Sequence, residues 1–371
     1  MPATTVKHRY VTLDALRGVA ALIVIWYHVF EGFASGPRDQ GFNHGYLAVD
    51  FFFMLSGFVI GYAYDDRLRD GRMTAWGFFK RRLVRLHPMV IVGVAAGVVA
   101  YVAGGCQNWD GDKVSLGMVA IACVLNLFML PMLPGAGADV RGNGEMFPLN
   151  GPHWSLFFEY IGNALYVLII RRLKTTVLWA VTGVAAVALT WFAVGNLSGD
   201  YHLGVGWTLA GNNLWGGMLR LMFSFTAGLL MSRYIAGREL KPIRWAMGWC
   251  SLALIGLLTV PFVGSASSPW LNGVYESVVV IIVFPAILYI GASARGNGNG
   301  VSRFLGDISY PVYAIHYPLM YLFYQWVWTE HLSFGQAWPV AVTIFAGSIL
   351  LAWALLRWYD QPVRHRLSRR L

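Results

Sequence analysis

Eleven apolar stretches divide the chain, at residues 12–33, 46–65, 87–104, 115–131, 153–171, 175–195, 215–236, 243–263, 274–293, 307–328 and 337–359. A bilayer's hydrocarbon core is about 30 Å thick and takes roughly 20 residues of helix to cross, so most of these stretches are candidate spans. Lipid offers no partner to an open backbone amide, which restricts such a chain to helices bundled in the membrane. The expected fold is therefore all-α and polytopic. With 57% hydrophobic and 12% charged residues, little is left over for a soluble domain, and a single membrane domain over 1–371 is expected. A formal charge of +10 would suit nucleic acid, but the basic residues fall in short clusters between apolar runs, where charge reports topology instead. Cys106, Cys123 and Cys250 have neither disulfide-framework nor metal-type spacing, and no metal is expected. The first run is too long for a signal-peptide core and carries Arg17 and His28, so it reads as a retained helix.

If all eleven stretches crossed, Arg171, Arg172 and Lys174 would face away from the cytoplasm, against the positive-inside rule. Reading 115–131, interrupted by Asn126 and closed by Pro131 and Pro134, as re-entrant or interfacial leaves about ten spans and both termini cytoplasmic. Lys7 and Arg9, the 67–85 cluster, Arg171/Arg172/Lys174, Arg238/Lys241/Arg244, Arg295/Arg303 and Arg364/Arg366/Arg369/Arg370 then share the cytoplasmic side. Asp39, Asp110, Asp112, Asp139, Asp200 and Glu330 lie outside. Non-helical backbone at membrane depth needs shelter, so this reading also predicts a cavity. The glycine-rich connection 132–152 reads as an outer loop that could act as a lid.

Ionisable residues inside spans normally face a bundle interior or a wet cavity. Arg17 and His28 lie ~20° apart around the first helix and ~16 Å apart along it. Counted inward from the outer surface, His28, Asp50, Glu159 and Arg220 all fall ~8 to 10 Å deep. A carboxylate accepting from one imidazole nitrogen would orient His28 and leave the other nitrogen to take a proton from a hydroxyl. Glu159 is the first choice for that carboxylate and Asp50 the second. The alternative is a structural network, in which buried charges simply hold helices together.

On the cytoplasmic side, residues 78–88 read as a short amphipathic helix ending at Pro88, with Arg82 and Arg85 on one face. Paired guanidinium forks suit phosphate oxygens, and Arg17 could add a third cation. The same arginines could equally set topology and touch lipid headgroups. Ser309, Tyr310, Tyr313 and His316 put a polar stripe on the tenth span, able to line a tunnel or to bond neighbouring helices. Trp154, beside Ser155, could stack on a sugar ring or anchor the interface.

Five ordered motifs then combine. Leu13-Asp14-Ala15-Leu16-Arg17-Gly18 with His28 supplies Arg-x10-His, and residues 45–58 read GYLAVDFFFMLSGF. Arg82-x-x-Arg85 precedes Pro88, Trp154-Ser155-Leu156-x-x-Glu159 supplies WSLxxE, and SYPVYAIHYP runs from Ser309. In these the chain resembles the acyltransferase-3 family of integral membrane O-acyltransferases over nearly its whole length. The resemblance implies transfer of an acyl group, most often acetyl, from cytoplasmic acyl-CoA to a hydroxyl of a carbohydrate or glycolipid acceptor. It implies His28 as general base, and a donor tunnel from Arg17, Arg82 and Arg85 past Ser309, Tyr310, Tyr313 and His316. Trp154, Ser155 and Arg220 would hold the acceptor. A multi-pass location in the inner (plasma) membrane follows, without the soluble esterase-like domain of some relatives. Against this stand a secondary transporter or exporter, which would consume no thioester, and an acyltransferase whose acceptor is a small-molecule antibiotic.

Overall fold

The computed structural model describes residues 10–294 and 298–369; Lys7, Arg9, Arg295 and Arg370, assigned above to the cytoplasmic side, lie outside them. The described residues contain no β-strand, and each apolar run falls on a helix. These are α1 (Val11–Glu31), α2 (Ala48–Arg69), α3 (Ala75–Ala103), α4 (Leu116–Leu127), α5 (His153–Leu168), α6 (Thr175–Val194), α7 (Asn213–Ile235), α8 (Ala246–Leu258), α9 (Trp270–Ala292), α10 (Gly300–Thr329) and α11 (Phe334–Ser368). Among the described residues, eight helices are long and apolar enough to span a membrane. The protein is a polytopic membrane protein. Polar residues mark several helix starts: Thr74 accepts from the Gly77 amide at 3.0 Å, Asn299 accepts from Ser302 at 2.8 Å, and Ser333 with Gln336 forms a capping box.

Small residues set the central packing. A side chain at Gly57 would strike the Phe225 carbonyl, and one at Gly228 the Met54 carbonyl, so α2 and α7 run backbone to backbone. Gly18 and Gly306 do the same for α1 and α10. At the periphery, α6 and α11 expose Val184, Val187, Trp191, Leu350 and Trp358, an apolar rim suited to lipid. The polar helix α10 is enclosed instead, between α1, α3 and α11.

Pro88 lies inside α3 and does not end it, which corrects the short amphipathic helix expected there. A proline in a membrane helix is tolerated where neighbours satisfy the backbone it disturbs. The carbonyl that Pro88 leaves without its amide partner is that of Val84, four residues back, and two residues further along the Tyr310 hydroxyl donates to the Leu86 carbonyl at 2.5 Å. Likewise α10 begins at Gly300, so Ser309 and Tyr310 sit well within it and not at its start.

The two ends of the bundle differ in charge. Arg171 donates to the Leu68 carbonyl and Arg233 to that of Leu173, joining basic segments at one end. At the other, Arg38 pairs with Asp200 at 3.1 Å. Although α8 has only 13 residues, Ile243 bonds Ser293 at the basic end and the Val260 carbonyl meets His44 at the acidic end. The 243–260 segment thus runs from one end to the other, part of it non-helical. By contrast, α4 has 12 residues and reaches about 18 Å, short of a ~30 Å core. Asn126 lies within it and does not break it. The chain before and after α4 meets where the Trp109 amide donates to the Arg141 carbonyl at 3.0 Å.

Residues 145–153 are buried, and the 132–152 connection is pinned by bonds from Met146 to Trp207 and from Gly151 to Tyr321, forming a wall where the sequence suggested a lid. Arg141 is buried against the rings of Tyr101, Trp109 and Tyr321, so exposed Asn143 is the better topology reporter. In a background lacking Cys106, Cys123 and Cys250, Asn143→Cys should react with an impermeant thiol reagent in intact cells and Lys174→Cys should not. The reverse pattern would mean that 115–131 crosses the membrane.

Candidate active site

Two cavities lie along the axis of the bundle. The one toward the basic end encloses ≈ 380 Å³ and is lined by Arg17 of α1, Arg81, Arg82 and Arg85 of α3, Ser155 and Glu159 of α5, Ser309, Tyr310 and Tyr313 of α10, and Arg364 of α11. Arg82 and Arg85 reach it together because residues three apart share a helix face. Arg82 is already engaged, bonding Glu159 at 2.5 Å and Asn163 at 3.0 Å, while Ser56 donates to the same carboxylate at 2.9 Å. Arg17 donates to Ser309 Oγ at 2.9 Å and lies 3.7 Å from Asp14. Arg364 pairs with Asp360 at 2.7 Å. Arg85 has no ion-pair partner within bonding distance among the described residues and feels Arg364, Arg17 and Arg82 around it, with Asp360 as the opposing charge. Such a guanidinium cluster calls for an anion.

The second cavity, toward the acidic end, encloses ≈ 490 Å³. His28 and Glu31 project into it from the last turn of α1. His28 Nδ1 lies 2.7 Å from Glu31 Oε2, and Tyr324 donates to that same oxygen at 2.9 Å. An ionised carboxylate can only accept, so Nδ1 is the donor to Glu31, and in the neutral ring Nε2 then holds the lone pair. The ring stacks on His316 with centroids 5.5 Å apart and meets the edge of Tyr317 at 4.7 Å. Trp154, Trp207, Trp109 and Trp328 bring aromatic faces to the same space, and Asn143, Asp200, His202 and Glu145 bring polar groups. In the loops at the acidic end, burial pushes the Glu145 carboxyl above its ordinary range and the His202 imidazole below its own.

Arg220 forms part of this wall, but its guanidinium is largely committed. It grips Asp50 through Nε at 3.1 and 3.2 Å and through a second nitrogen at 2.6 Å, and it donates to the carbonyls of Val205 and Tyr46. Both side chains of the pair are fully buried. The Trp154 ring lies 5.2 Å from the same guanidinium and packs over Gly206, where φ is +115° and a Cβ would strike the indole. Behind this wall His44 presents one ring nitrogen to the Val260 carbonyl at 2.8 Å and the other to Asn272 and Glu276. Tyr46 donates to the Glu276 carboxylate as well.

This geometry corrects the pairing read from the sequence. Glu159 joins Arg82 at the first cavity and Asp50 joins Arg220, while the carboxylate against His28 is Glu31. Depth counting failed at α5 because its first residue, His153, is already fully buried beneath the 145–152 segment. Glu159 therefore sits deeper than a count from the helix start implies. The spacing His28-x-x-Glu31 was a legible signal, since those residues share a face in any helix. His316, grouped above with the donor residues, is fully buried against His28, its Nδ1 facing the Val312 and Tyr313 carbonyls. Ser155, assigned above to the acceptor, lines the first cavity and bonds Tyr313. In place of one tunnel there are two cavities, whose linings share Val49 and Tyr313.

A family model described as an acyltransferase domain matches residues 10–357. The chain belongs to the acyltransferase-3 family. Among curated relatives of this family member, "Acyltransferase MdmB" of Streptomyces mycarofaciens is 25% identical over 372 residues, covering 93% of this chain and 86% of the relative. "Protein 2 in picA locus" of Rhizobium radiobacter is 38% identical over 189 residues, 49% of this chain and 93% of that protein. No solved structure shows significant similarity to the chain.

Breaking a buried ion pair by removing one partner costs about 3–5 kcal/mol, because the other charge stays buried alone. Asp50→Ala and Arg220→Leu should each lower the melting temperature in detergent sharply. The double variant should fall well short of their sum, as a double-mutant cycle would show.

Proposed function

We propose that this acyltransferase moves an acyl group, acetyl in the first instance, from acyl-CoA to a hydroxyl of a carbohydrate or glycolipid acceptor. The observation that carries the reading is the juxtaposition of two chemistries. A cavity crowded with arginines, Arg85 among them unpaired, abuts a cavity that holds an imidazole oriented by a carboxylate. The positive-inside rule assigns the arginine end to the cytoplasm, where CoA esters are found, and the plasma membrane is the proposed site.

In this reading the donor's phosphates rest against Arg85, Arg17 and Arg82, and its pantetheine arm points toward Val49 and Tyr313. Glu31 holds Nδ1–H of His28, so Nε2 accepts the proton of the acceptor hydroxyl as its oxygen attacks the thioester carbonyl. The carbon–sulfur bond breaks, and the thiolate that leaves takes up the proton from Nε2. Trp154 and its neighbouring indoles offer the flat apolar faces that sugar rings stack on, with Asn143 and His202 placed to read hydroxyls. Glu159 and Asp50 keep Arg82 and Arg220 in place.

General-base catalysis contributes typically about 10²- to 10⁴-fold. With purified protein and acetyl-CoA, His28→Ala should lose thiol release and acceptor acylation on that scale while remaining folded. Glu31→Gln should lower kcat with little change in donor affinity. Wild-type turnover by a folded His28→Ala protein ends the base assignment.

Arg85 supplies the cleaner donor test, since removing Arg82 also strands Glu159. A charge-assisted contact is worth roughly 1.5–3 kcal/mol. Arg85→Ala should therefore raise KM for acyl-CoA by about 10- to 150-fold and change saturated turnover much less. Unchanged donor affinity would make Arg85 a topological residue, and a protein that releases no CoA under any condition would favour a transporter.

A further inference from the structure

The linings of the two cavities overlap in only two of the described residues. Val49 of α2 and Tyr313 of α10 line both, and each is almost fully buried, at 4% and 5% exposed. The Tyr313 ring is held at both ends. Its hydroxyl lies 2.6 Å from Ser155 Oγ, and both hydroxyls reach the Pro152 carbonyl, the serine at 3.0 Å and the tyrosine at 3.3 Å. Phe52 stands edge-on to the ring, centroids 5.4 Å apart at an interplanar angle of 80°. On the donor side Phe52, Phe53, Leu55 and Leu156 make the approach apolar.

A group carried along the shared lining from the arginine cavity to His28 would pass Val49 and Tyr313. An apolar approach ending in a tethered aromatic ring and a branched aliphatic suits a short acyl chain, since each further methylene must displace a wall atom. We propose that Val49 and Tyr313 form a neck that sets acyl-chain length, admitting acetyl and discriminating against longer chains. The inference rests on the acyl-CoA reading above. Ser155 is a positioning residue within it, fixing the ring through the tyrosine hydroxyl.

The test compares kcat/KM for acetyl-, propionyl- and butyryl-CoA in wild-type protein and in Val49→Ala, Val49→Leu and Tyr313→Phe, with the affinity for unacylated CoA measured in parallel. One methylene in a fitted apolar pocket discriminates by roughly 10- to 200-fold. Wild-type protein should prefer acetyl. Val49→Ala should raise the butyryl-to-acetyl ratio by at least about tenfold, Val49→Leu should lower the propionyl-to-acetyl ratio, and Tyr313→Phe should relax selectivity less than Val49→Ala. The affinity for unacylated CoA shows whether each variant still holds the donor, so that a changed ratio can be told from a lost donor site. Ratios unchanged in both Val49 variants, with CoA still bound, overturn the neck and leave the acyl-CoA reading standing. A wild-type protein that transfers nothing from any of these donors overturns both.

Discussion

A charge held inside a bundle of membrane helices needs a partner, and this requirement organises the interior of the protein. Asp50 meets Arg220, Glu159 meets Arg82, and Asp65 meets Arg233. Each pair ties together helices distant in sequence, so the charges that make the chain expensive to bury also specify which helices lie side by side. Asp50 and Arg220 join α2 to α7, the same two helices that Gly57 and Gly228 allow into backbone contact. Packing and charge agree on one arrangement, and the wall of the acidic-end cavity is its product.

The groups left out of this pairing are the ones with chemistry to offer. Arg85 has no ion-pair partner among the described residues and faces a cavity that other arginines share. His28 has one nitrogen committed to Glu31 and the other directed to open space lined by indoles. An anion-seeking site and a proton-seeking site thus occupy two cavities whose linings share Val49 and Tyr313. A transferase needs that separation, because the bulky anionic handle of the donor and the acceptor hydroxyl approach from different sides.

Much of this was legible from the residues in order. Eleven apolar runs correspond to helices, and the short reach of 115–131 is seen in the 12 residues of α4. Arg17, Arg82 and Arg85 do converge, with Ser309, Tyr310 and Tyr313 beside them. The carboxylate partnerships were not legible, because depth was counted from helix starts and α5 starts beneath a buried loop. Nor was the continuity of α3 through Pro88.

Sequence by itself determined the class of fold, the helical elements and the family, since these depend on hydropathy over windows of ~20 residues and on motifs local to one helix. It also held the His28-x-x-Glu31 dyad, a relation within a single turn. Only the tertiary structure decided that Asp50 belongs to Arg220 and Glu159 to Arg82, and that the expected tunnel is two cavities meeting at Val49 and Tyr313. Those outcomes depend on how far each helix is slid along its neighbours. A slide of one turn, about 5.4 Å, exchanges the partners of a buried charge without altering any pattern the sequence displays.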